Sequence, residues 1–114
     1  MIGPILLLAA ASATATNLGA TTDKFELCVM TKTDQFSSAK EAADVTVRAA
    51  TAACRLERAD LRAALQKYLS ADQSLSGASA KTVEQSTYDI ILGGAYDRAL
   101  VHLVTLRSNN APNQ

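Results

Sequence analysis

The chain has 114 residues, of which 48% are hydrophobic and 19% are charged. This length fits one domain with a core of its own, and the hydrophobic content excludes a disordered chain. Because 11 basic and 11 acidic side chains cancel, and only three tyrosines and two phenylalanines could stack on bases, we expect no nucleic-acid partner.

Residues 1–15 have the pattern of a secretory signal peptide. An apolar run, Ile5–Ala11, precedes small residues that offer A-x-A cleavage sites ending at Ala13 and Ala15. No Lys or Arg precedes the run, and the alternative is an N-terminal core helix. We favour export to the bacterial periplasm or the medium, with residues 16–22 as a flexible lead-in. Because the whole signal-like segment, at about 15 residues, is too short to span a bilayer, we expect no stable membrane association after processing.

A short first helix is predicted from Asp23 to about Phe36, with Thr22 or Asp23 as its cap. Its apolar residues approximate one helical stripe. These residues are Phe25, Cys28, Val29 and Phe36. A helix of about fourteen residues is marginal alone in water, so it needs contacts with its neighbours.

A long central helix is predicted over Glu41–Leu69, which contains no Gly or Pro and is rich in Ala, Leu and Arg. Ser38 and Glu41 have the spacing of a capping box, so the helix could begin just after Ser38. At about 100° per residue the helix has two apolar stripes, which favours packing between two neighbours. The first is Val47, Ala50, Cys54, Leu61, Leu65 and Tyr68, and the second is Val45, Ala49, Ala52, Leu56, Ala59 and Ala63.

Arginines lie together on this helix, between the two apolar stripes. The functional interpretation is a strip that binds an anion or a protein partner, made of Arg55, Arg58 and Arg62. The alternative is a solvated face, or pairing with acids on a neighbouring helix, because charged helix faces are usually solvated. The acids named for that pairing are Glu84, Asp89 and Asp97. We favour the alternative and keep the three arginines as the candidate partner-binding residues.

Residues 70–80 are rich in Ser and Gly and predict a loop. A long third helix follows over Lys81–Arg107, and residues 108–114 are a predicted disordered tail. The core side of this helix is predicted to carry Tyr88, Leu92, Ala99, Leu103 and Leu106. Three further apolar residues, Ile90, Val101 and Val104, lie roughly opposite. This excess predicts either wrapping by the first helix or a homodimer contact through the third helix.

Three polar or small residues in the third helix have alternative interpretations. Gly93 and Gly94 favour either the close approach of another helix or a kink in the third helix. The alternative is a hinge, or a gap that faces a ligand. His102 lies in an apolar run, where a hydrogen-bonded structural histidine is a better interpretation than a catalytic one.

Cys28 and Cys54 are the only cysteines, and in an oxidising compartment they predict one disulfide. The alternative is two buried thiols. Cys28 lies roughly 12 Å before the end of its helix at Phe36, whereas Cys54 lies roughly 22 Å after Ala39, at 1.5 Å per residue. The mismatch closes if the chain stays extended to about Ala42, with Asp44 as the cap, or if the two helices cross steeply. The disulfide therefore competes with the capping-box start, and we favour the disulfide.

No constellation of catalytic residues is present. The sequence lacks G-x-S-x-G, H-E-x-x-H and a Gly-rich phosphate loop. With one His and no C-x-x-C, a metal site has few ligands. We therefore predict no enzyme, no catalytic residue, no cofactor and no metal.

The pattern F-E-L-C-V at Phe25–Val29, then Ser37 and Ser38, then V-x-A-A-x-A-A-C from Val47 to Cys54, resembles small exported bacterial proteins of unassigned function. The resemblance covers Phe25 to about Leu65, and it implies an exported compartment and a disulfide.

A second resemblance, to periplasmic immunity proteins that neutralise amidases, is carried by K-Y-L at Lys67–Leu69 and by the apolar run Leu100–Val104. These proteins are small, exported, helical and disulfide-bearing, but their further C-terminal cysteine is missing here. Neither resemblance assigns binding residues.

Together these observations predict an all-α protein, a three-helix bundle at residues 23–107 behind a signal peptide. The predicted function is a non-enzymatic exported protein that binds another protein, as an inhibitor, an immunity protein or an assembly factor. The alternative is a periplasmic carrier of a small apolar ligand, held between the second and third helices beside Gly93 and Gly94.

Overall fold

The computed structural model describes the backbone of residues 3–71 and 77–110, and the side chains from residue 13 onward within these ranges. This part of the chain is all-α, as predicted, and contains four helices. They are α1 (Gly3–Phe36), α2 (Ala43–Ala53), α3 (Arg55–Ser70) and α4 (Gly77–Asn109). Across the described ranges, none of the helices has the length and apolar character needed to cross a membrane.

Helix α1 is 34 residues long, so the predictions of a short first helix and of a flexible lead-in at residues 16–22 were wrong. Thr21 and Thr22 donate their hydroxyl hydrogens to the carbonyl oxygens of Asn17 and Leu18, at 2.6 and 2.7 Å. These bonds reach back one turn, so both side chains are accommodated within the helix. Leu18 also packs against the core. The signal peptide at residues 1–15 stays a prediction.

The predicted central helix is broken at Cys54, which separates α2 from α3. Cys54 has φ −96° and ψ 37°, and its N–H donates to the carbonyl oxygen of Thr51 at 3.1 Å. No Gly or Pro occurs here, so local helix propensity does not account for the break. The break coincides with the residue that is crosslinked to α1, so it occurs where a tertiary constraint acts on the helix.

Helix α2 begins at Ala43, after Ala42 as its N-cap, and no side chain caps it. The capping box from Ser38 to Glu41 was therefore a wrong prediction. The late helix start, one of the two ways to satisfy the spacing of the cysteines, is confirmed, but its N-cap is Ala42 and not Asp44.

Only one of the two apolar stripes of the central segment is buried. Val47, Cys54 and Leu61 are fully buried in the core, whereas Leu56 is 75% exposed. The segment does pack between two neighbours, α1 and α4, but the second stripe faces solvent, so the expectation that both stripes are covered was wrong. That stripe consists mostly of alanines, which offer little apolar area to bury, so packing α1 and α4 against the first stripe is more favourable.

The core lies where all four helices meet. Its fully or nearly fully buried hydrophobic side chains come from α1 (Phe25, Val29), from α2, Cys54 and α3 (Val47, Ala50, Cys54, Leu61, Ala64, Leu65) and from α4 (Ala95, Ala99, Leu103). Tyr88 and Leu92 pack against this cluster from α4, on the side of α4 that its periodicity predicted.

Helix α4 is longer than predicted at both ends. It begins at Gly77, whose φ of 58° lies in the left-handed region that glycine adopts without steric cost. Residues 77–80 are therefore helical and not part of a loop, and Ser108 and Asn109 extend the helix into the predicted tail. Residues 72–76 of the predicted loop and residues 111–114 of the predicted tail lie outside the described residues.

Thr33 gives a stability prediction because its side chain is fully buried and its hydroxyl has no hydrogen-bond partner. Thr33→Val keeps the branched shape and removes the unsatisfied hydroxyl, so we expect the free energy of unfolding to rise by about 1 kcal/mol. Urea denaturation of the oxidised protein measures the change.

Thr46→Val is the matched control. Thr46 is also buried, but its hydroxyl donates to Ala42 and accepts from Arg107, at 3.3 and 3.2 Å. Its removal should lower the free energy of unfolding by about 1 kcal/mol. A loss of stability in Thr33→Val would contradict the assignment of an unsatisfied hydroxyl.

Candidate partner-binding surface

The structure separates the three arginines of the predicted strip. Arg62 lies in the interface between α3 and α4. There its guanidinium donates to Glu84 at 3.2 Å and to Gln85 at 3.1 Å, and it stacks 4.5 Å from the centre of the Tyr88 ring. Pairing with an acid on a neighbouring helix is therefore the correct interpretation for Arg62.

Arg55 and Arg58 differ from Arg62 and from each other. Arg55 is exposed, whereas Arg58 is half-buried and lines a groove between helices. Within the described ranges, neither of them forms an ion pair. Arg58 thus lines a groove, Arg62 is paired with α4 and Arg55 is exposed, so the three arginines do not form one continuous strip.

The groove around Arg58 is formed where α2, α3 and α4 meet. It has a volume of about 300 Å³ and is open to solvent. Its lining residues are Arg48, Thr51, Ala52, Arg58, Leu92, Gly93 and Tyr96. We call this site the Arg58 groove.

Gly93 lines this groove and has open space in front of it. A Cβ atom added at Gly93 would meet no atom within 4 Å, and at Gly94 it would meet only the Arg98 guanidinium, at 3.4 Å. Among the described residues, no helix approaches α4 closely at either glycine, so the favoured interpretation of these residues was wrong. Gly93 faces open space, and the alternative of a gap that faces a ligand stays a prediction.

Helix α4 also carries exposed apolar side chains on the side away from the core. Ile90 is 73% exposed, Val101 65% and Val104 49%. Helix α1 does not wrap over them, so one of the two explanations for the apolar excess is excluded. We call these three residues the α4 outer face. Since Ile90 and Gly93 are three positions apart on one helix, the outer face adjoins the Arg58 groove.

Two side-chain pairs join α4 to α1. Arg98 forms an ion pair with Glu26, and the Nε2 atom of His102 lies 2.6 Å from a carboxylate oxygen of Asp34. The hydrogen-bonded structural role predicted for His102 agrees with this contact. Both pairs fix the position of α4 along α1.

Arg107 has contacts that the sequence analysis missed. It donates to the carbonyl oxygens of Glu41 at 2.8 Å, Ala39 at 2.9 Å and Ser37 at 3.4 Å, and to the Thr46 hydroxyl at 3.2 Å. It thereby satisfies several backbone acceptors in the connection between α1 and α2. The only sequence signal is a basic residue in the last turn of α4.

Cys28 and Cys54 form a disulfide with a Cα–Cα distance of 6.0 Å, the pairing favoured from the sequence. A carboxylate oxygen of Glu57 lies within 4.8 Å of both sulfurs. These three residues could be mistaken for a metal site. Metal ions bind cysteine as the thiolate, however, and both sulfurs are here joined to each other.

Comparisons of the chain with models of protein families, with curated proteins and with solved structures found no match, so its resemblance to small exported proteins stays a prediction.

Proposed function

We propose that this protein is exported and acts by binding another protein, without catalysing a reaction. The observation that supports this proposal is the α4 outer face. Single exposed apolar side chains are normal on soluble proteins. Here three of them follow one side of one helix from Ile90 to Val104, which is about 21 Å at 1.5 Å per residue. Exposed apolar side chains spaced over this length on one side of a helix suit an elongated interface with a partner protein.

The outer face is also held in place. The disulfide anchors α1 to the junction of α2 and α3, and the Arg98–Glu26 and His102–Asp34 pairs anchor α4 to α1. A surface fixed before binding loses less conformational entropy when a partner binds. The disulfide further supports export, because disulfides persist in oxidising compartments.

A carrier of a small apolar ligand is less well supported. Ligand pockets typically bury about 70–90% of the ligand surface, whereas the groove beside Gly93 is open to solvent. A symmetric homodimer through α4 is also less favourable. An antiparallel pairing that sets Ile90 against Val104 also sets Asp97 against its own copy, and two like charges repel.

The test is capture of a protein partner from periplasmic extract of the native host, with the oxidised, processed protein as bait. Ile90→Ser/Val101→Ser should weaken capture about 30- to 800-fold, since each of the two apolar side chains buried in a contact contributes roughly 1–2 kcal/mol. Leu56→Ser is the control. Leu56 is more exposed than Ile90 and Val101, but it lies on α3 and is not part of the α4 outer face.

Quantitative mass spectrometry of the captured proteins measures this effect, and N-terminal sequencing of the bait checks processing after Ala13 or Ala15. Equal capture by the double variant and the wild type would contradict a role for the α4 outer face. Native mass spectrometry that shows a retained small molecule would favour the carrier, and a dimer that Ile90→Ser/Val101→Ser abolishes would favour self-association.

A further inference from the structure

The Arg58 groove has two walls of different chemistry. Arg48, Thr51, Ala52 and Arg58 belong to α2 and α3, and Leu92, Gly93 and Tyr96 belong to α4. Leu92 and Tyr96 also pack against the core, so the α4 wall is both apolar and firmly held. The opposite wall supplies two guanidinium groups. An occupant that suits both walls carries negative charge beside an apolar group.

The positive charge of the groove is not neutralised by its own lining. No lining residue is acidic. Arg48 has one exposed contact, with Asp44 at 3.8 Å, and Arg58 has no ion pair among the described residues. A guanidinium group presents five N–H donors in a planar fork that matches a carboxylate. Arg58 therefore has the geometry and the free capacity to bind one.

Gly93 supplies the space in which an apolar group can sit. Nothing lies within 4 Å of the position that its Cβ would occupy, and the groove of about 300 Å³ has room for one or two side chains. Because the groove is open and adjoins Ile90, a segment of a larger molecule can occupy it while contacting the α4 outer face. These features favour a protein segment over a free small carboxylate.

We propose that the Arg58 groove binds an acidic amphipathic segment of the partner protein, in which a Glu or Asp lies beside a large apolar side chain. The carboxylate binds Arg58, and the apolar side chain fills the space at Gly93 against Leu92 and Tyr96. This proposal rests on the proposed function and specifies the chemistry of the partner.

The experiment uses the oxidised full-length chain labelled with ¹⁵N and a pair of short amphipathic peptides. One contains Leu, Phe, Ala and Glu, and the other has Gln in place of every Glu. We expect the Glu peptide to shift the amide signal of Gly93 saturably. The Gln peptide should bind about two- to fivefold more weakly, the range expected for a partly exposed ion pair, and added salt should reduce the difference.

Matched variants locate the charge. Arg58→Gln should remove the preference for the Glu peptide, and Arg58→Lys should retain part of it, because Lys keeps the charge without the planar fork. Arg55→Gln is the control, since Arg55 is exposed and does not line the groove. Thermal unfolding of each variant verifies that the fold is intact.

Any of three results with the peptides would overturn the proposal. These are no shift of the Gly93 amide signal with either peptide, equal affinity for both peptides, or an equal loss of the preference for the Glu peptide in Arg55→Gln and Arg58→Gln. Binding of phenylacetate as tight as that of the Glu peptide would also overturn it, because the site would then be one for small carboxylates. If Arg58→Gln captures the partner as well as wild type while Ile90→Ser/Val101→Ser does not, only the groove proposal fails. If wild type captures no partner, the proposed function fails, whatever the peptides show.

Discussion

Replacing both cysteines, as Cys28→Ala/Cys54→Ala, should lower the free energy of unfolding by roughly 3.5 kcal/mol. The disulfide closes a loop with a sequence separation of 26 residues, and this value follows from the chain entropy that such a crosslink removes from the unfolded state. The folded state is affected as well, because the crosslink joins α1 to the junction of α2 and α3. We expect the Asp23–Phe36 part of α1 to lose more protection than α4.

Hydrogen exchange followed by mass spectrometry measures the local effect, and urea denaturation measures the global one. The reduced wild-type chain is the control, because it lacks the crosslink but keeps both sulfur atoms in the core. If the reduced chain is as stable as the oxidised chain, the chain-entropy account is wrong. If α1 and α4 lose protection equally, α1 does not depend on the crosslink more than the rest of the fold.

Phe25→Ala should lower the free energy of unfolding by about 3–5 kcal/mol, the usual cost of truncating a buried aromatic side chain. Phe25 is fully buried, and it is the only phenylalanine in the core cluster of the described residues. Its loss removes the largest apolar contact that α1 makes there and leaves a cavity that the rigid helices cannot close.

Leu27→Ala is the matched control for Phe25→Ala. Leu27 lies two positions further along α1 and is 67% exposed, so we expect a change within about 0.5 kcal/mol. Urea denaturation of both variants in the oxidised form provides the comparison. Similar losses in the two variants would show that α1 does not bury the face that contains Phe25.

The parts of the fold that the sequence predicted correctly depend on local periodicity. Val47 and Leu61 repeat on one helical face, and both are buried in the core. Periodicity failed for Leu56, which repeats equally well but is exposed. A repeat pattern identifies an apolar stripe, whereas its burial depends on how much area the neighbouring residues add, and the neighbours of Leu56 on its stripe are alanines.

Other features depend on distant residues and could not be predicted from neighbours along the chain. The helix break at Cys54 coincides with a crosslink to another helix. Thr21 and Thr22 lie in a polar segment that was predicted to be a flexible lead-in. The hydroxyl groups of both donate to carbonyl oxygens in the preceding turn of α1. In the candidate site, Arg62 forms an ion pair with Glu84 of α4, whereas Arg58 lines the open groove beside Gly93 of α4. The two arginines therefore differ because of the residues that α4 places near them.

The contacts of Arg107 impose an order on the folding of a newly made chain. The carbonyl oxygens of Ser37, Ala39 and Glu41 accept hydrogen bonds from a residue 66 to 70 positions later. If the chain is exported N-terminus first, as proposed, both cysteines reach the oxidising compartment before Arg107 does, so the crosslink can form while these carbonyls are still bound to water. The connection between α1 and α2 acquires its hydrogen bonds from Arg107 only after α4 has docked.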